Sequence, residues 1–242
     1  MNPGTTIHNP KELLHNQKLK FYTPIAMLFV SLFLVVNIIS QKIVPIGNNN
    51  NIMLTAGDFV FPITYTLSII LTEVYGYTMS RRIIWSAFIC NLFVTAVILF
   101  AVALPAASSW QEQEQYATIL GRTPRLLAAS FGAFLIGEFI GTYILAKMKI
   151  FTSGKYLWFR AISATSIGQL IDSITFTVIA FASIISWHNI IVLGISAYWC
   201  KMIYQILMTP GIYAFAKFLK KRENVDIFDR DTNFNPFNLE LK

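Results

Sequence analysis

Charge is what this chain has least of. Asp, Glu, Lys and Arg make up 13% of its 242 residues, where a water-soluble domain carries about a quarter. A chain this poor in charge and 55% hydrophobic cannot clothe a soluble globule. Its mean hydropathy of +0.56 says the same, so the class is polytopic membrane protein. Cysteine is scarce as well. Cys90 and Cys200 fall inside apolar runs, where thiols pack as small hydrophobes and mark neither an oxidising compartment nor a metal site. Histidine is confined to His8 and His15 near the N-terminus and His188 between two apolar runs, so no buried site for metal or acid–base chemistry is expected from it. His-Glu-x-x-His, Cys-x-x-Cys, Gly-x-Ser-x-Gly and a glycine-rich phosphate loop are all missing. No cofactor and no enzyme of those classes is indicated. Met1 to Lys20 lack a short apolar core with a small-residue cleavage site, and no cleaved signal peptide is expected.

What the chain does have is long apolar runs. A helix needs about 20 residues to cross the hydrocarbon, and six stretches qualify: Tyr22–Ser40, Ile52–Thr72, Ile83–Leu104, Leu126–Leu145, Phe159–Trp187 and Ile190–Leu219. The expected fold is therefore all-α, a transmembrane domain over 22–219 between an N-terminal segment, 1–21, and a polar tail, 220–242. The last two runs nearly touch and predict a tight hairpin, and the tail predicts a frayed end. Pro62 and Thr209-Pro210-Gly211 predict kinks. The connection Gln41–Asn51 carries Gly47-Asn48-Asn49-Asn50-Asn51, and that from Pro105 to Pro124 has enough polar residues for a short surface helix or an irregular connector.

The formal charge of +7 does not point to nucleic acid, because the basic residues flank apolar runs. Lys11, Lys18, Lys20, Arg81, Arg82, Lys147, Lys149, Lys155, Lys217, Lys220, Lys221 and Arg222 fall on one side, against Lys42, Arg122 and Arg125 on the other. The positive-inside rule puts both termini in the cytoplasm of a bacterial inner membrane protein.

The fifth run carries Thr165, Gln169, Asp172 and Phe176 at helical spacing, a polar-to-aromatic stripe on one face of an apolar helix. Lipid cannot solvate such a stripe. An ionisable residue there points to a substrate or ion site, or to a hydrogen bond between helices. At 1.5 Å per residue, Glu138, Asp172 and Lys201 all lie about 17–20 Å from the outer surface, and Asn91 reaches a similar level. Lys201 is expected to meet Asp172 or Glu138, which leaves one acid for a ligand, a proton or a fully structural network. Trp199 and Tyr204 are the aromatics nearest this layer. Glu73, with Tyr75 and Arg81, falls near the cytoplasmic mouth as a gate ion pair or a solvated group, and Arg160 is placed to snorkel to phosphate. Ala133, Gly137 and Gly141 repeat at four-residue spacing, which suits close helix packing.

Three segments together resemble the queuosine precursor transporter family, also called the vitamin uptake transporter family. They are Glu73-Val74-Tyr75-Gly76 with Ser80-Arg81-Arg82; Arg160 through Ser166 with Gly168-Gln169, Asp172-Ser173 and Phe176; and Lys201 with Thr209-Pro210. The resemblance spans roughly Thr23 to Leu219. It implies six helices, a fold related to substrate-binding subunits of energy-coupling-factor transporters, and 7-deazaguanine substrates: preQ0, preQ1 or queuine. The family often has an acid shortly before Glu-x-Tyr-Gly, where Ile69 and Ile70 stand here and Asp58 is the nearest acid upstream; Ser173 replaces the usual Thr.

A guanine-like edge, with N–H donors beside a carbonyl, suits a carboxylate with an amide. Asp172 or Glu138 is expected to accept from the donors, Gln169 and Asn91 to hold the carbonyl edge, and Lys201 to keep the acids charged. The implied partners are a purine-like small molecule and the bilayer. ATPase subunits are not expected, since the first helix has only Ala26 and Ser31 as small docking residues, and proton coupling stays open. The alternatives are a substrate-capture subunit of an ATP-driven complex, an intramembrane enzyme on lipid using Glu138 and Asp172, and an inert bundle.

Overall fold

The computed structural model describes residues 19–40, 42–46, 52–121, 124–182, 186–229, 232–235 and 237. His8, His15, Lys11, Lys18, the run from Gly47 to Asn51 and Arg122 lie outside the described residues. The elements are α1 (Tyr22–Ile39), β1 (Ile43–Ile46), β2 (Ile52–Thr55), α2 (Phe61–Ala103), α3 (Gln113–Tyr116), α4 (Pro124–Phe151), α5 (Leu157–Phe181) and α6 (Trp187–Glu223). Five of these helices are long and apolar enough to cross a membrane.

Six segments nonetheless cross, because α2 is two arms. Its 43 residues would stretch about 65 Å, twice the hydrocarbon thickness. Gly76, at φ 81° and ψ 170°, breaks it, a conformation that costs a glycine little. The break reverses the chain, and Thr72 Oγ1 donates to Ser80 Oγ across it at 2.9 Å. Tyr75, ending the first arm, donates its hydroxyl to Glu223 of α6 at 2.5 Å, and Glu223 also accepts from the Phe21 N–H at 2.7 Å. The second arm starts beside the beginning of α1, where Tyr22 Oη donates to the Met79 carbonyl at 3.3 Å. It then passes the end of α1, where Asn91, Val94 and Thr95 share a small cavity with Leu34 and Asn37. The beginning of α1 and the end of α6 thus meet at one face, the tail end, opposite a hairpin end.

Ile52 does not open a span. Ile52–Thr55 pairs antiparallel with Ile43–Ile46, Ile43 facing Thr55 and Ile46 facing Ile52. Short β-branched runs around a Gly-Asn connection favour this pairing over helix. Thr55 and Asp58 then form a capping box that starts a 3₁₀ turn, Ala56–Phe59, ahead of α2. Pro62 sits in the first turn of α2, where a missing N–H is harmless, so it does not kink the span. The expected gap between the second and third spans is helical on both sides of Gly76. The connection between α5 and α6 runs over 182–186 rather than 188–189, since α5 stops at Phe181 and α6 starts at Trp187. Pro210 lies inside α6, which continues through it. The polar connector after Ala103 holds α3 and a short π-helical stretch at Ala117–Gly121.

Small residues set the tightest helix pair. A Cβ on Gly137 would lie 2.7 Å from the Gly168 carbonyl, and one on Gly168 would lie 2.8 Å from the Gly137 carbonyl. The α4 and α5 backbones touch there, as the four-residue spacing suggested.

The tail is not frayed where it is described. Val225, Ile227 and Asp229 are each 1% exposed, because the break at Gly76 leaves backbone groups that the tail satisfies. Ile227 N–H donates to the Val74 carbonyl at 3.3 Å, and the Asp229 carboxylate accepts from Tyr77 N–H at 3.0 and 3.1 Å. Burial pushes the Asp229 carboxyl above the usual carboxylate range, while the bonds from Tyr77 and Thr232 pull it back. Arg81, expected near a solvated mouth, donates to the Asn233 and Asn235 carbonyls at 2.7 Å each. Asp229→Ala removes the cap of the second arm and is expected to cost about 0.5–2 kcal/mol. Thermal melting of purified protein in detergent checks this as a fall of several degrees.

Candidate functional site

Four helices, α2, α4, α5 and α6, bring polar side chains together in the interior of the bundle. From α6, Lys201 Nζ donates to Asp172 Oδ2 of α5 at 3.0 Å; both residues are buried. The same ammonium lies 3.8 Å from Asp58 Oδ1 and 4.7 Å from the centre of the Phe61 ring. Asp58 is held by its own turn, its Oδ2 accepting from Thr55 N–H and Thr55 Oγ1 at 2.8 Å each. The sequence reading placed Asp58 only as an upstream acid. The capping spacing Thr55-x-x-Asp58 was legible, but its pairing with Lys201 depends on the fold.

Of the two acids expected to compete for Lys201, Asp172 takes it, and Glu138 has a different partner. Ser68 of the first arm donates to Glu138 Oε1, while Oε2 has no hydrogen-bond partner among the described residues. Tyr65 Oη and Asp172 Cβ both lie against Gly137, 3.2 and 3.0 Å from where its Cβ would be. Tyr65, Ser68, Glu138, Thr142 and Thr165 line a cavity of about 10 Å³, room for about one water. The cavity is too small for a ring-sized molecule, and neither Asp172 nor Lys201 lines it.

Several buried groups in or near the layer lack partners. Thr165 Oγ1, Gln169 Oε1, Ser173 Oγ and both amide atoms of Gln205 find none among the described residues. A buried polar group left unpaired costs about 1–3 kcal/mol, so such a set favours whatever ligand can satisfy it. Gln205 was missed from sequence. Its signal is the four-residue step from Lys201, which puts both on one face of α6. The α5–α6 register follows from Asp172 against Lys201 and from Gly194, where an added Cβ would lie 3.3 Å from Thr177 Oγ1. One turn on from Asp172 and Lys201 along the two antiparallel helices come Gln169 and Gln205.

The remaining predicted site residues divide. Asn91 is buried, but with Asn37, Val94 and Leu120 in a separate cavity, away from Asp172. Trp199 is 60% exposed and packs edge-on to Tyr198, which in turn hydrogen-bonds Ser166 at 2.8 Å; it faces outward. Phe176 and Tyr204 are half-buried. A larger open groove, about 700 Å³, runs between α1 and the second arm past Ala26, Val30, Arg82 and Trp85, and none of the polar layer lines it.

At the tail end, Glu73 is ion-paired rather than solvated. It is 1% exposed and accepts from Arg160 at 2.5 and 3.1 Å and from Lys220 at 2.5 Å. Lys149 donates to its backbone carbonyl at 2.6 Å, to the Ile227 carbonyl at 2.5 Å and to Asp226 at 2.6 Å. Arg160 is fully buried rather than snorkelling, since its remaining donors reach the Lys155 and Gly154 carbonyls. Tyr75 is held by Glu223 and Arg81 by the tail. The network seals this end beneath the polar layer.

A sequence model of the family described as "Putative vitamin uptake transporter" matches residues 55–215. The chain is 29% identical over 170 residues to the "Probable queuosine precursor transporter" of Bacillus subtilis (strain 168), covering 70% of this chain and 74% of that one. It is 26% identical over 127 residues to the "Queuosine precursor transporter" of Escherichia coli (strain K12), covering 52% and 55%. No solved structure matches. The segment matched by the family runs from the capping Thr55 into α6, so it contains every residue of the polar layer.

Proposed function

The chain belongs to the vitamin uptake transporter family, and from that premise we propose that it imports a 7-deazaguanine queuosine precursor, preQ0, preQ1 or queuine, across the cytoplasmic membrane. The observation that carries the reading is the Asp172–Lys201 pair beside unpartnered Gln169, Thr165 and Gln205 atoms in the interior of an otherwise apolar bundle. The names of the two relatives support the choice of substrate class.

In this reading Asp172 accepts from the N1–H and 2-amino donors of the base. Gln205 Nε2, unpartnered among the described residues, donates to the carbonyl edge, the part first given to Gln169 and Asn91; Gln169 Oε1 accepts from an N–H of the base, and Tyr65 with Phe61 meets the flat faces. Glu138 serves the exocyclic amine of preQ1. The tail end is cytoplasmic, as the Lys and Arg distribution asks, and the buried Glu73 network is the closed inner gate. The chain acts without ATPase subunits, and its two acids are the groups through which proton coupling would run.

The test is uptake of labelled preQ0, preQ1 and queuine into proteoliposomes containing this chain alone. Saturable uptake of at least one base is expected. Gln169→Ala is expected to lower its kcat/KM about tenfold, the loss of one hydrogen bond in a desolvated site. Absence of uptake for all three overturns the stand-alone importer.

A further inference from the structure

We propose that Asp58 is a second seat for Lys201, taken up when a ligand occupies Asp172; the inference rests on the reading of Asp172 as the ligand's acceptor. A base presenting two donors side by side needs both carboxylate oxygens, and Lys201 holds Oδ2. Oδ2 can accept from the base as well, but sharing it weakens its bond to Lys201. Lys201 is 6% exposed, and a buried ammonium without a counter-charge is strongly disfavoured, so binding favours a second partner within reach.

Asp58 meets each condition for that partner. Its Oδ1 already lies 3.8 Å from Lys201 Nζ, about 1 Å beyond a charge-assisted hydrogen bond. Its other oxygen is fixed by Thr55 N–H and Oγ1, so the carboxylate waits in place and only the flexible lysine stem moves. The Phe61 ring, 4.7 Å beneath the ammonium, supports the cation between its two seats. The set holds two acids and one base, so Lys201 binds one acid closely while the other stays at the longer distance. The ligand decides which. Asp58 lies on the turn entering α2, at the hairpin end. Asp58 is thus a positioning residue, acting on the ligand only through Lys201.

The capping role of Asp58 makes the test clean, because Asn retains an oxygen for the Thr55 N–H while removing the charge. Full-length protein in detergent is titrated with preQ0, preQ1 and queuine, comparing wild type, Asp58→Asn, Lys201→Met and the double variant, with melting temperature measured on ligand-free samples. Handover predicts at least tenfold weaker binding by Asp58→Asn at a melting temperature within a few degrees of wild type. It also predicts that the double variant binds within twofold of Lys201→Met, since Asp58 has no further route to the ligand. If Asp58→Asn fails to fold, Asp58→Gln, the uncharged residue that capping boxes carry at this position, takes its place with the same expected loss. Binding by the uncharged variant within twofold of wild type overturns the handover and leaves Asp58 a cap. Wild type binding none of the bases overturns the ligand reading and the handover together.

Discussion

Asp172→Asn is expected to lower deazaguanine uptake in proteoliposomes at least 100-fold while leaving a folded protein. The carboxylate offers two acceptor oxygens to two neighbouring donors. An amide turns a donor of its own towards one of them, and a desolvated site tolerates that badly, because the unmatched groups have no water to turn to. A 100-fold loss corresponds to about 2.7 kcal/mol, within reach of one mismatched charge-assisted pair. The fold survives because Lys201 keeps Asp58 at 3.8 Å and Asn is nearly isosteric. The measurement is initial uptake rate against substrate concentration, with a melting curve on the same preparation. Uptake near wild type from a preparation with a lowered melting temperature would mean that Asp172 is a helix-to-helix strut and that the ligand lies elsewhere.

Glu73→Ala is expected to destabilise the protein by about 3–5 kcal/mol, the usual cost of removing one partner from a buried ionic network. That is a large share of the 5–15 kcal/mol typical of a folded domain. Glu73 answers Arg160 and Lys220 directly and has Lys149 at 4.0 Å. Without it, Lys149 and Lys220 share Asp226, and Arg160, fully buried, retains only backbone carbonyls among the described residues. Thermal melting in detergent and the yield of monodisperse protein report the loss. The paired change Glu73→Met with Arg160→Met should be milder than the sum of the two singles, since it removes both charges together. A Glu73→Ala protein melting like wild type would show that the network is solvated and not a seal.

Much of the architecture was legible because lipid imposes it. Apolar runs of sufficient length announce crossings, and the Gly137/Gly141 spacing announced a close helix contact that the backbone-to-backbone approach at Gly168 bears out. The level of Asp172 and Lys201 could be counted along the helices, and the two meet. Level does not give direction around the helix axis, however. Trp199 and Asn91 share the depth of the layer yet face lipid and a separate cavity. Gln205 lay within reach of the same counting, one turn from Lys201, but an amide among Ile and Tyr residues carries no charge to draw notice. The docking of the tail had no local signal. Val225, Ile227 and Asp229 look like a polar terminus until Gly76 opens the backbone groups they satisfy.

By itself, the sequence determined that this chain lives in a bilayer, crosses it six times and carries acids and a base where hydrocarbon cannot solvate them, since hydropathy and helical rise are properties of consecutive residues. Only the tertiary structure decided which charges answer which. Lys201 stands between Asp58 and Asp172, Glu138 is left to Ser68, and the tail closes over Gly76. Those pairings join residues from about 30 to 150 positions apart, and the energy that selects them, the desolvation of each buried charge, has no value until the helices have packed.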